Sequence, residues 1–167
     1  MLRPEEVRSA SNKVEEENYR FRRFLKVHAD QKDLDRRFLR LHRELFEKYD
    51  CSSCRNCCRE YRVEFTNREI LKAAKLLSMT ASEFSDSYLS DDIEGKSMKS
   101  KPCLFLGDDG SCRIEECKPA SCKGYPYTDK SDRMESLLSL VDSASVCPVV
   151  HEMFERLKGE YGFRRQR

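Results

Sequence analysis

The chain has no tryptophan, and its hydrophobic share is only 38% against 37% charged. An ordinary apolar core would therefore be thin for 167 residues. No run approaches the roughly 18 consecutive apolar residues of a membrane span, which excludes a transmembrane helix. The opening MLRPEEVRSA is charged from its third residue and lacks the apolar stretch of a secretory leader. A formal net charge of +2 gives no push toward nucleic acid. There is no internal repeat, no neighbouring acid–base pair and no glycine-rich strand-to-helix loop of the kind that cradles a nucleotide-like cofactor. Disorder is excluded as well, because the leucine, isoleucine, phenylalanine and tyrosine residues recur periodically.

What the chain does hold is sulfur: nine cysteines. An odd number cannot pair fully into disulfides, and without a leader the expected compartment is the reducing cytosol. There, clustered cysteines read as metal ligands first. Cys51, Cys54, Cys57 and Cys58 form C-x2-C-x2-C-C within CSSCRNCCRE. A C-x2-C turn points two thiolates at one ion, and nearby backbone N–H groups can offset their charge. The adjacent Cys57 and Cys58 are expected to diverge, serving two sites or leaving one to pack. Cys103 and Cys112 flank Gly107-Asp108-Asp109-Gly110, Cys122 ends a short turn opened by Pro119, and Cys147 occupies a helix N-cap before Pro148. Cys117 has no such positional argument and reads as a packed thiol. His28, His42 and His151 are scattered and read as surface or hydrogen-bonded side chains, with His151 nearest a cysteine.

The pattern leaves the metal open. C-x2-C-x2-C with a distant Cys-Pro echoes ferredoxin spacing, although Cys58 and the long gap to Cys147 depart from it. Eight thiolates also suit two four-cysteine zinc sites, and a single mononuclear site with spare thiols is equally compatible.

The expected fold class is α+β and mostly helical: a small irregular cysteine-rich domain with a short β-hairpin and an N-terminal helical arm. Residues 1–49 form the arm, where Leu34, Phe38, Leu41, Leu45 and Tyr49 fall on one helix face. An αα-hairpin is the simplest arrangement, and the arm is the expected surface for a protein partner. Residues 50–167 form the metal-binding domain with a C-terminal helix. Within it, YRVEF reads as a strand. Thr66–Glu69 and Thr80–Glu83 are capping boxes that open helices over about 67–77 and 81–89. Residues 90–100 read as a mobile loop, and the GDDG segment reads as a hairpin with Leu106 opposite Ser111. Further helices are expected over about 132–142 and from Pro148. Tyr125 and Tyr127 read as packing groups, and Asp108 and Asp109 as turn residues.

At these residues the chain resembles the bacterial CxxCxxCC zinc- or iron-chelating domain family, the YkgJ-like cysteine cluster proteins. The resemblance rests on Cys51-x-x-Cys54-x-x-Cys57-Cys58, then PCLFL, GSCRI, KPASCKGYP and Cys147-Pro148, over roughly residues 51–150. It implies a bound zinc or iron–sulfur centre, with Cys51, Cys54, Cys57, Cys58, Cys103, Cys112, Cys122 and Cys147 as the ligand pool. Some relatives are labelled iron–sulfur oxidoreductases, and a related domain occurs in flagellin lysine methylating enzymes. The implied roles are therefore a metal-binding protein with a mainly structural metal, a redox protein, or an accessory to protein methylation. Lys118 and Lys123 stand where the family carries arginines, and Cys117 is additional to the pattern.

Overall fold

Apolar residues spaced by three and four become helices where the pattern asks for them. A computed structural model describes residues 1–93 and 95–163. The fold is mostly helical with one small antiparallel sheet. Packing divides the chain into two compact units, one of residues 1–50 with 126–167 and the other of residues 51–125.

The first unit is all helix. A 3-10 turn at Pro4–Glu6 leads into α1 (Val7–Lys13), α2 (Glu15–His28) and α3 (Gln31–Phe46); the chain later returns as α9 (Arg133–Ser143) and α10 (Pro148–Glu160). Asp30 caps α3 by accepting from the Asp33 amide at 2.9 Å. The predicted stripe faces inward, with Leu34, Phe38, Leu41 and Leu45 buried. Phe154 of α10 fills the space between Phe21 and Phe38, edge-on to both at 6.2 and 6.5 Å. Lys158 and Glu17 form a buried ion pair at 2.6 Å. The apolar faces of α9 and α10 bury against α2 and α3, which is why residues 126–167 group with the helical arm.

The second unit carries the cysteine run on two short helical turns, α4 (Cys51–Cys54) and α5 (Asn56–Glu60). Next come β1 (Glu64–Phe65), α6 (Asn67–Leu76), α7 (Ala81–Tyr88), β2 (Leu89–Asp92), β3 (Gly95–Met98), a 3-10 turn at Glu115–Cys117 and α8 (Ala120–Gly124). Both capping boxes form: Thr66 accepts from the Glu69 amide and Thr80 from the Glu83 amide, with the carboxylates reaching back. The sheet order is β1-β3-β2, and Phe65 pairs with Lys96.

Two local expectations are corrected. Residues 90–100, expected as a mobile loop, contain most of an antiparallel hairpin in which Ser90 faces Ser97 and Asp92 faces Gly95. The segment is too polar to signal a strand, but β1 supplies a partner edge and Gly95 takes the positive φ of 134° that the turn needs. The GDDG segment is the reverse case. It makes a single bridge, Leu106 to Cys112, one residue from the expected Leu106–Ser111 pairing. The bonds that flank it run from the Gly107 amide to the Ser111 carbonyl and from the Arg113 amide to the Phe105 carbonyl, both at 2.9 Å, while the Leu106 amide turns back to the Cys103 carbonyl at 3.0 Å.

The core of this unit is a small aromatic stack. Phe84 and Phe105 lie parallel at 5.7 Å, and Phe65 meets them edge-on at 5.7 and 6.4 Å. Ile70, Met98 and Ile114 close the cluster, with Cys103, Cys112 and Cys117 against its rim. Phe105→Ala should therefore destabilise the fold by about 3–5 kcal/mol. Denaturant unfolding followed by circular dichroism checks this, and a loss below about 1 kcal/mol would contradict the packing described.

Candidate metal centre

All nine cysteines are thiols rather than disulfides. The three histidines all lie in the first unit. His28 stacks on Phe24 at 4.6 Å, His42 bonds Thr128 at 2.9 Å, and His151 is buried. Burial pushes both His42 and His151 below the ordinary imidazole value. The second unit therefore offers sulfur and carboxylate donors and no imidazole. Its thiols are soft donors, the kind that zinc and iron–sulfur clusters favour.

Four thiols of this unit share one neighbourhood. Burial, followed by the charges of Cys58, Cys103 and Cys112, raises the Cys122 thiol to about 12. Cys103 is raised by burial and then by Cys58 and Cys112; Cys112 is raised by burial and also feels Cys58. The chain connections are short and specific. The Cys103 amide donates to the Cys58 carbonyl at 2.8 Å, joining the cysteine run to the PCLFL segment. The amides of Phe105 and Leu106 donate to the Cys103 sulfur, and that of Ile114 to the Cys112 sulfur. Such bonds offset negative charge on sulfur, as the turn geometry leads one to expect.

Cys58 is the exception in charge. Its thiol is pulled down to about 6, first by a hydrogen bond from Cys57, and further by Arg55, Lys118 and Arg59, against the opposing effect of burial. Arg55 takes a left-handed φ of 53° between α4 and α5 and is 9% exposed. Its Nε donates to the Gly110 carbonyl at 2.8 Å, and its guanidinium pairs with Glu115 at 3.4 Å. Arg59 donates to the Cys54 carbonyl at 2.8 Å. Lys118 also pairs with Glu115, and its ammonium lowers Cys58, Cys112 and Cys122 alike. In the sequence Lys118 is visible only as the cation replacing an arginine, and Arg55 carries no signal at all.

The remaining candidates are placed as follows. Cys51 is exposed at the start of α4, Cys54 is buried at its end, and Cys57 lies on α5 beside Cys58. Cys147 is buried at the N-cap of α10, the cap position expected for it, and belongs to the first unit. Cys117 ends the 3-10 turn and packs on the aromatic cluster; burial raises its thiol first, and Cys112 next. Tyr125 packs on Tyr61 at 5.3 Å, and Asp109 holds its own turn by accepting from the Ser111 amide at 2.9 Å.

Among the described residues, no three His, Cys, Asp or Glu side chains stand close enough to hold an ion as placed. The four sulfurs are thus within electrostatic reach of one another but not drawn into a coordination sphere. Buried thiolates repel one another, and a bound cation rewards closing the gap. The donor chemistry fits a thiophilic metal, and binding would release protons.

In metal-free protein, Cys58 should alkylate with a midpoint near pH 6, whereas Cys122 should stay slow through neutral pH. Ionised Cys58 stabilises the fold most above the ordinary thiol value of 9.0, and this is lost as pH falls through about 6. Cys122 acts in the opposite sense: its contribution is present below 9.0 and lost as pH rises through about 12. Mass-spectrometric alkylation rates at each cysteine check the order; equal rates for the two would contradict this electrostatic description.

No curated protein and no solved structure shows significant similarity to the chain. Residues 50–148, more than half of the sequence, match the family described as "CxxCxxCC: Putative zinc- or iron-chelating domain". That match spans the cysteine run, the coupled thiols of the second unit and Cys147. The chain belongs to the CxxCxxCC zinc- or iron-chelating domain family.

Proposed function

We propose that the protein binds zinc or an iron–sulfur cluster through thiolates, and that the metal serves mainly to hold the cysteine-rich unit together. The observation that carries this is the bond from the Cys103 amide to the Cys58 carbonyl at 2.8 Å, in a neighbourhood where the charge of Cys58 raises Cys103, Cys112 and Cys122. The cysteine run and the 103–122 segment meet there, with amide donors already aimed at two of the sulfurs. Cys51, Cys54 and Cys57 extend the pool along α4 and α5, and the family pattern adds Cys147 as a candidate. A metal bound to this pool would supply cross-linking free energy where the apolar core is small. A unit of about 70–80 residues rarely draws more than about 3–5 kcal/mol from its core, whereas structural zinc contributes about 10–16 kcal/mol of apparent binding free energy.

Two outcomes test the reading. Anaerobically purified protein should contain stoichiometric zinc, or iron with sulfide, and strong chelation should abolish its near-ultraviolet circular dichroism. An apo protein with an unchanged spectrum and thermal transition would refute a structural metal. Serine replacement should separate the sulfurs, since it removes the thiolate while nearly keeping the volume. Cys54→Ser, Cys58→Ser and Cys122→Ser should each sharply lower metal content, and Cys117→Ser should leave it unchanged. Loss of metal from Cys117→Ser as complete as from Cys54→Ser would overturn the ligand assignment.

A further inference from the structure

The segment that carries Cys122 is the least self-supporting of those that converge. Helix α8 has five residues and no side-chain cap from its own sequence. An isolated turn of that length has no stability of its own, because nucleation costs more than one turn of hydrogen bonds returns. Pro119 stands at its cap and has no N–H, so Ala120 offers the first donor. That amide donates to Glu69 Oε1 at 2.7 Å, across 51 residues of sequence.

Glu69 is already committed at its other oxygen. Its Oε2 accepts from the Thr66 amide at 2.9 Å and the Thr66 hydroxyl at 2.8 Å, closing the capping box of α6. Burial works against the charged form, yet the amides of Ala120 and Thr66 and the Thr66 hydroxyl keep the carboxyl below its ordinary value. A second tie runs nearby, from the Ser121 hydroxyl to the Glu64 carbonyl at 3.3 Å. Glu83 provides the comparison within the same molecule. It closes an equivalent box with Thr80 at 2.8 Å, but it is exposed, and among the described residues its carboxylate bonds only Thr80.

We propose that Glu69 is the positioning residue of the cysteine centre, one carboxylate that caps α6 and anchors α8 so that Cys122 faces Cys58, Cys103 and Cys112. Its effect on metal binding rests on the thiolate-metal reading above; its effect on α8 does not. Glu69 touches no metal and acts through the segment that bears Cys122.

The test compares Glu69→Ala, Glu83→Ala and Ala120→Pro. Both alanine variants lose a capping box, and Glu69→Ala also loses the bond from the Ala120 amide, so its loss of thermal stability should be the larger. Ala120→Pro removes the donor that Glu69 accepts while leaving the Thr66 box intact. The substitution suits the backbone, because Pro119 is already extended at ψ 154° and proline is favoured at the first helical position. In metal-free protein, Glu69→Ala and Ala120→Pro should each raise the alkylation rate of Cys122 relative to Cys112 by about tenfold, the scale of one hydrogen bond to a charged group. The double variant should go no further, and Glu83→Ala should leave the ratio unchanged. In cobalt(II) titrations, Glu69→Ala should weaken thiolate-to-metal absorption in the wild-type background and add nothing to Cys122→Ser. The inference is overturned if Glu69→Ala leaves Cys122 as protected as before, or if Glu83→Ala exposes it equally. Should wild-type protein develop no thiolate bands with cobalt, the zinc form of the metal reading fails, while the alkylation ratios still decide the role of Glu69.

Discussion

Sulfur atoms gathered in a small, partly buried space repel one another once ionised, and that repulsion sets the terms for the second unit. Cys103, Cys112 and Cys122 are each raised by the charge of Cys58, and burial adds to the cost of ionisation at all four. Two remedies are available to such a set: keep the protons, or accept a cation. The chain is arranged for both. Without metal the raised thiols stay neutral, and with one the same convergence becomes a ligand pool.

The surrounding polar groups then divide into those that manage charge and those that manage position. Lys118 lies within reach of three of the four sulfurs, and its own charge is shared with Glu115. Arg55 belongs to both groups. Its left-handed backbone separates α4 from α5, while its guanidinium reaches the GDDG loop on the far side of the sequence. The Phe84–Phe105 stack gives these contacts a firm base, since Cys103 is two residues from Phe105 and both Cys103 and Cys112 pack on the cluster's rim.

How much of this was legible in the sequence follows from the range of each interaction. The Thr66–Glu69 and Thr80–Glu83 boxes span three residues, so residue identity and spacing define them completely, and helices α6 and α7 begin where the boxes say. Leu34, Phe38, Leu41 and Leu45 declare their face by period alone. The hairpin of β2 and β3 was hidden because its residues are polar and its pairing depends on Phe65 meeting Lys96, a partner no local pattern names. The Leu106–Cys112 bridge was misread by one residue, because the Gly107 amide closes the loop on the Ser111 carbonyl and so sets Leu106 opposite Cys112. At the centre, the cysteine types and spacing announced a metal reading, whereas Arg55, Lys118 and the second oxygen of Glu69 act across the fold and leave no trace in spacing.

The central claim is that thiolates of this chain hold a metal. X-ray absorption at the edge of whichever metal copurifies tests it most directly, because the first shell reports ligand type without assuming which cysteines contribute. The account predicts a first shell of sulfur, at about 2.3 Å if the metal is zinc. A shell made only of oxygen or nitrogen would contradict it.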